Sequence, residues 1–196
     1  ESTRLEKLID NLLLTTKIEN SYQYNYEKTD ITLIIDEVLK VIKLQYPEVA
    51  ITFSHSLPTT IHADKEAIYS VISNLVENGI KYSDSPASIM LGLKTDKKQC
   101  IIDIADYGRG IPLGKVVDVV SKINTGAKYD SKAFQKSVGL NGVGTKAVNA
   151  LSNYFKVSAF REGKEKTAEF ERGVLIKEYK EVRSSEEHGT LITFIP

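Results

Sequence analysis

The sequence predicts an α+β fold, a two-layer α/β sandwich in which helices lie on one face of a mixed, mostly antiparallel sheet, with an amphipathic helix in front of it. Three observations lead there. Apolar residues recur at helical spacing in separate segments, and short β-rich runs are bounded by polar turns. Those runs are also linked as hairpins more often than they alternate with helices, which favours antiparallel pairing.

Leu5, Leu8, Ile9, Leu12 and Leu13 form a helical stripe, so residues 1–20 are expected to be an amphipathic helix whose apolar side another surface must cover. Residues 21–196 make the main domain. Thr29 or Asp30 can cap a second helix carrying Ile31, Ile34, Ile35, Val38, Leu39 and Ile42, which Pro47 follows. A strand is expected over 51–57 and a third helix over 64–82. Strands over 89–94 and 100–105 are joined by the polar turn Thr95-Asp96-Lys97-Lys98, and a short helix follows over 116–123. Residues 124–141 are polar and glycine-punctuated, and a loop of that length in a compact domain is often a functional lid. Helical pattern resumes after Gly142 through Phe155, and strands are expected over 156–161, 167–172, 174–179 and 191–195.

Lys+Arg and Asp+Glu are both 26, so bulk charge offers no surface for a polyanion, and no direct nucleic-acid binding is expected. The apolar runs are too short to span a bilayer. With Cys100 the single cysteine, a disulfide or a cysteine metal cluster within the chain is excluded; a buried thiol in a strand and a reducing cytoplasm are expected. The chain opens on Glu1 in mid-pattern and closes on Pro196 after a strand, as an excised segment would.

Four motifs carry chemistry. On the third helix Ile68, Val71, Ile72, Leu75, Val76 and Ile80 form one face; Asn74, Asn78 and Lys81 stack on the other, flanked by Glu77. Such a stripe is ordinarily a solvated face, but asparagine is a poor helix former. An amide oxygen can ligate Mg²⁺, and a lysine one turn on can meet a phosphate. Asp106-Tyr107-Gly108-Arg109-Gly110-Ile111-Pro112 follows a strand. It reads either as a glycine turn capped by Asp or as a purine site, where an ionised carboxylate accepts from an exocyclic amino group and the glycines admit a flat ring. Gly139-Leu140-Asn141-Gly142-Val143-Gly144 opens a helix, as backbone anion sites do, without the lysine spacing of a P-loop. Gly189-Thr190 leads into the last strand.

In this order the motifs resemble the GHKL (Bergerat-fold) ATP-binding domains, and the resemblance covers nearly the whole chain. It has a seam. Arg4 to Leu13, Asp64-Lys65-Glu66 and Asn74 to Ser83 resemble a bacterial sensor histidine kinase. Asp106 to Lys115, Asn124 to Asp130, Val138 to Ser152 and Gly189 to Pro196 resemble the ATPase domain of topoisomerase IV or DNA gyrase, on the B chain of those enzymes. The expectation is a chimera of the two, engineered rather than naturally recombined, joined at the strand before Asp106.

The resemblance implies ATP and Mg²⁺ as ligands. Asn78 would hold the metal, Asn74 and Lys81 would contact phosphate, and Tyr82 would line the adenine or ribose side. Asp106 would take the adenine amino group, directly and through water shared with Thr190. Gly110, Ile111 and Pro112 would wall the base, with Gly108 admitting the ring beside them; Lys128 and the backbone of Leu140, Asn141, Gly142, Val143 and Gly144 would cradle phosphates.

Asn74 and Glu77 occupy the candidate catalytic positions. Topoisomerases have a Glu where Asn74 stands, and an amide cannot act as a base, so slow hydrolysis is expected. The kinase phosphoacceptor His is absent; His55, His62 and His188 read as surface or strand residues. Gly79 stands where kinases usually have Ala, a substitution expected to cost helix stability and to spare the pocket. Three functions remain open. One is a kinase-lineage catalytic domain acting with a His-containing dimerisation domain or a response regulator. The second is a topoisomerase-type ATPase module with gyrase-like hydrolysis and inhibitor binding. The third is a non-enzymatic dimerisation domain, a homodimer through the N-terminal helix.

Overall fold

The computed structural model describes residues 25–96, 99–121 and 143–196. The N-terminal helix, the glycine-rich segment 124–141, and the candidates Lys128, Leu140, Asn141 and Gly142 lie outside the described residues.

Four helices are described: α1 (Ile31–Gln45), α2 (Lys65–Lys81), α3 (Val116–Ser121) and α4 (Val143–Leu151), with a 3₁₀ turn at Leu113–Lys115 before α3. Asp30 caps α1, its side chain accepting from the amides of Thr32 and Leu33; Asp64 caps α2 by accepting from Ala67. The expected apolar stripe of α1 is buried throughout.

The strands are β1 (Glu27–Asp30), β2 (Ala50–His55), β3 (Thr60–Ala63), β4 (Ser88–Asp96), β5 (Gln99–Asp106), β6 (Tyr154–Arg161), β7 (Lys164–Glu171), β8 (Val174–Glu178), β9 (Val182–Arg183) and β10 (His188–Ile195). The main sheet runs β2-β4-β5-β10-β6-β7-β8, with β9 beside β7. Every pair in it is antiparallel except β2 with β4.

One face of the sheet is dry. Ile89, Leu91 and Leu93 of β4, Cys100, Ile102 and Ile104 of β5, Phe155 and Val157 of β6, and Ile192 and Phe194 of β10 alternate inward against the helices. Cys100 is buried as expected, and burial pushes its thiol up to about 11.

Some boundaries differ from the expectation. The helix after Gly142 stops at Leu151, and Phe155 lies in β6, paired across β10 with Phe194. Ser152 turns its hydroxyl back onto the Val148 carbonyl, while the Asn153 amide donates to Ile195, which starts the strand. The two-stranded sheet β1–β3 was not expected; neither EKTD nor TIHA shows a clean alternation.

Candidate nucleotide site

Helix α2 brings the first set of residues. Its polar stripe is not a solvated face: Asn74, Glu77, Asn78 and Lys81 are all half-buried. The N-terminus of α4 lies over it. A Cβ placed on Gly144 would sit 3.0 Å from the Asn74 Oδ1, so a side chain there would push the helix away. Asn74 Nδ2 donates to the Ser70 carbonyl at 2.7 Å, and Asn78 Nδ2 donates to Thr145 Oγ1 at 3.3 Å. In both amides the nitrogen end is tied within the protein. Burial lowers the affinity of Lys81 for its proton, an effect that Glu77 opposes; its ammonium also lies 5.5 Å over the Tyr82 ring.

Tyr82 joins this helix to the second set. Its backbone N–H caps α2 on the Asn78 carbonyl at 3.0 Å, and its own carbonyl accepts the Arg109 amide at 3.1 Å. Asp106, the last residue of β5, stands opposite Ile89 of β4 and Thr190 of β10. Its Oδ1 accepts the Gly108 amide at 2.9 Å. Burial raises the Asp106 carboxyl to about 6, although hydrogen bonds from Gly108 and from the Thr190 hydroxyl and amide pull the other way.

The glycines here serve the protein's own packing. A Cβ on Gly108 would sit 2.6 Å from the Tyr82 carbonyl oxygen. Gly110, at φ +65°, lies directly beneath the Phe160 carbonyl and would bring a Cβ within 2.9 Å of the Gly189 oxygen. Ile111 packs partly buried on the core, and Pro112 leads into the 3₁₀ turn, its carbonyl accepting from Lys115 at 2.7 Å.

Gly79 lies where α2 packs on the sheet beside Asp106. A Cβ there would come within 2.7 Å of Ile89 Cδ1 and 3.2 Å of Asp106 Cβ, so the bare backbone lets α2 lie against β4 and β5 at the carboxylate. His188, read from sequence as a surface or strand residue, is exposed at the start of β10, yet its Nδ1 sits 2.9 Å from the Gly108 carbonyl and 3.2 Å from that of Tyr107. Sequence spacing offered no signal for that contact, which the β10–β5 register creates. His55 and His62 fall in strands away from these residues.

Thus Asn74, Glu77, Asn78, Lys81, Tyr82, Asp106, Gly108, Gly110, Thr190 and Gly144 come together where α2, α4 and the ends of β5 and β10 meet. Among the described residues no three His, Cys, Asp or Glu side chains cluster as a metal cage. An amide oxygen together with oxygens of the ligand would be a donor set that suits Mg²⁺. Asn78, with its nitrogen engaged by Thr145, fits that role.

The family model of histidine kinase-, DNA gyrase B-, and HSP90-like ATPases matches residues 63–196. The chain belongs to this family. The GHKL domain is thus an ATP-binding ATPase domain by lineage. Its curated relatives include the B component of DNA topoisomerase 4 from Borreliella burgdorferi, 48% identical over 130 residues, a match covering 66% of this chain and 21% of that protein. The B component of DNA gyrase from Enterococcus faecalis is 30% identical over 141 residues, covering 67% and 22%. The chain spans about a fifth of the length of these curated relatives. The topoisomerase match is longer than the segment from Asp106 to Pro196, so it takes in most of α2 as well.

In shape the GHKL domain is similar to histidine kinases. For a mycobacterial sensor histidine kinase, MprB, the TM-score is 0.62 at 17% identity, covering 87% of this chain and 96% of that one. For the Acinetobacter baumannii histidine kinase AdeS it is 0.61 at 19% identity, covering 99% and 78%. At such identities the likeness carries the fold alone. Among the described residues no helix is long and apolar enough to cross a membrane.

Proposed function

We propose that the chain binds Mg²⁺-ATP in a pocket framed by α2, the Asp106 loop and the start of α4, and that it hydrolyses the nucleotide slowly. The observation that carries the reading is the largely buried Asp106 carboxylate, held by Gly108 and Thr190 where Gly79 of α2, the helix that carries Asn74 and Asn78, packs against it. At pH 7 Asp106 is mostly ionised and can only accept, which selects an adenine amino group over a base that presents a carbonyl. Ile111 and Pro112 would line the base and Tyr82 the sugar side. Lys81, whose burial weakens its hold on its proton, gains a partner when an anionic phosphate approaches. The backbone amides at the start of α4 favour the same charge, with Lys128 and residues 140–142 assigned to the lid side. Asn78 would offer its oxygen to Mg²⁺, which when bound offsets the charge of the phosphates.

Slow hydrolysis follows from Asn74: an amide there can orient a water but cannot take its proton. Glu77, on the same helix, is the nearest carboxylate candidate in sequence. The kinase reading adds transfer to a His on a separate dimerisation domain and thence to a response regulator, in a reducing cytoplasm. It treats residues 1–20 as the end of a dimerisation helix and 21–196 as the nucleotide domain. Asn74 favours the kinase-type half of a composite, whereas the topoisomerase match that reaches into α2 weighs against a clean exchange at β5.

Calorimetric titration with a non-hydrolysable ATP analogue, with and without Mg²⁺, tests the core of this. The chain is expected to bind in a Mg²⁺-dependent way and Asp106→Asn to lose more than about tenfold in affinity, the scale of a lost charged hydrogen bond. Absence of binding by the unsubstituted chain would sink the reading and leave a homodimer through the Leu5–Leu13 stripe, measurable by sedimentation. A second reading, a topoisomerase-type ATPase with inhibitor binding, is favoured by the 48% identity. There Asn74→Glu should raise ATP turnover by roughly tenfold or more, a modest share of what a positioned base contributes; unchanged turnover counts against it.

A further inference from the structure

The structure assigns His188 as a positioning residue for nucleotide recognition: its imidazole holds the Tyr107 and Gly108 carbonyls so that the Asp106 loop stands ready for the base. The inference rests on the reading of Asp106 as the adenine acceptor. Both neighbours of Nδ1, at 2.9 and 3.2 Å, are carbonyl oxygens and can only accept, so Nδ1 carries a proton.

The consequence lies in peptide geometry. Holding the Tyr107 and Gly108 carbonyls toward β10 fixes the planes of the two peptides that carry them, 107–108 and 108–109. Those planes send the Gly108 amide onto Asp106 Oδ1 and the Arg109 amide onto the Tyr82 carbonyl at the end of α2. With Oδ1 so engaged, the rest of the carboxylate is left to Thr190 and the ligand. Glycine makes such a brace necessary, because Gly108 and Gly110 allow the loop many unproductive conformations. Packing already brings the two strands of chain together, since Gly189 lies directly against the Asp106 carbonyl. Contact alone does not choose the orientation of two peptide groups; a directional donor does. A loop that spends only part of its time in the competent form binds with an apparent affinity reduced by that fraction.

The test uses the full chain with His188→Ala and His188→Asn, the latter because its amide nitrogen stands near the place of Nδ1. Titration with the ATP analogue should show a loss of roughly three- to tenfold in His188→Ala, the worth of one ordinary hydrogen bond. His188→Asn should restore most of it. Equal affinity in all three, or equal loss in both variants, overturns the assignment. Amide hydrogen exchange, read without nucleotide, separates this from the reading beneath it. Gly108 and Arg109 should exchange faster in His188→Ala and at the original rate in His188→Asn. Unchanged exchange overturns the positioning role whether or not nucleotide binds. Absence of nucleotide binding with faster exchange in His188→Ala would overturn the recognition role and leave the nucleotide reading, not the loop contact, at fault.

Discussion

Burial of the Asp106 carboxyl raises it from 3.8 to about 6, so at pH 7 the folded chain holds a charge that its surroundings disfavour. The folded state therefore binds this proton more tightly than the unfolded chain does. The penalty is full above about pH 6, is relieved as pH falls through the folded value, and is gone below the unfolded value. Its upper limit is roughly 3 kcal/mol, less whatever the residue's remaining exposure recovers. Asp106→Asn keeps the shape and an acceptor for Gly108 while removing the charge. It should melt higher than the unsubstituted chain at pH 7, and the two should converge near pH 4. The same variant should lose nucleotide, so stability and recognition move in opposite directions at one atom group. A lower melting temperature at pH 7 would refute the charge account. Lys146 repeats the theme: it is buried on α4, its ammonium has no hydrogen-bond partner among the described residues, and burial lowers its proton affinity.

At the scale of elements, the fit of α2 onto β4 and β5 turns on Gly79. Alanine would gain up to about 1 kcal/mol of helix propensity, but its methyl would meet Ile89 Cδ1 at 2.7 Å. Ile89→Val deletes that atom. In a double-mutant cycle measured by denaturant unfolding, Gly79→Ala with Ile89→Val should therefore be more stable than the sum of the single changes, by about 0.5 kcal/mol or more; additive effects would show that the helix simply shifts. Much of this element was legible in advance. The helix expected from residue 64 does begin at the Asp64 cap, and the apolar spacing from Ile68 to Val76 matches the buried face. The order of the Asn stripe, the Asp106 turn, the glycines before α4 and Gly189-Thr190 pointed to the candidate site. What was not legible depends on register between distant segments. Gly79 meets Asp106 and His188 meets Gly108 because of how β5, β10 and α2 are laid together, and no local pattern encodes that. β1 and β3 escaped because four-residue strands with polar composition carry too little periodicity.

Over the whole molecule, the site draws on α2, β5, β10 and α4, which are far apart in sequence yet share one core. A ligand that binds only when all of them are in place stabilises the domain as a unit. At a hundredfold excess over Kd, the Mg²⁺-bound analogue should stabilise the fold by about 2.7 kcal/mol. For a chain of this size, that raises the melting temperature by roughly 5–10 °C in a thermal scan, and two separated transitions would show the parts melting independently. The place of β10 has another consequence. It is the latest strand in sequence order among the described residues, yet it lies between β5 and β6 near the middle of the sheet. A ribosome releasing this chain would first deliver two hairpins, β4–β5 and β6–β7, with no strand to join them. The sheet can close, and Asp106 can meet Thr190 and His188, only after His188–Ile195 clears the exit tunnel. Until then the nascent chain exposes two unpaired edges, the moment at which a chaperone has most to protect.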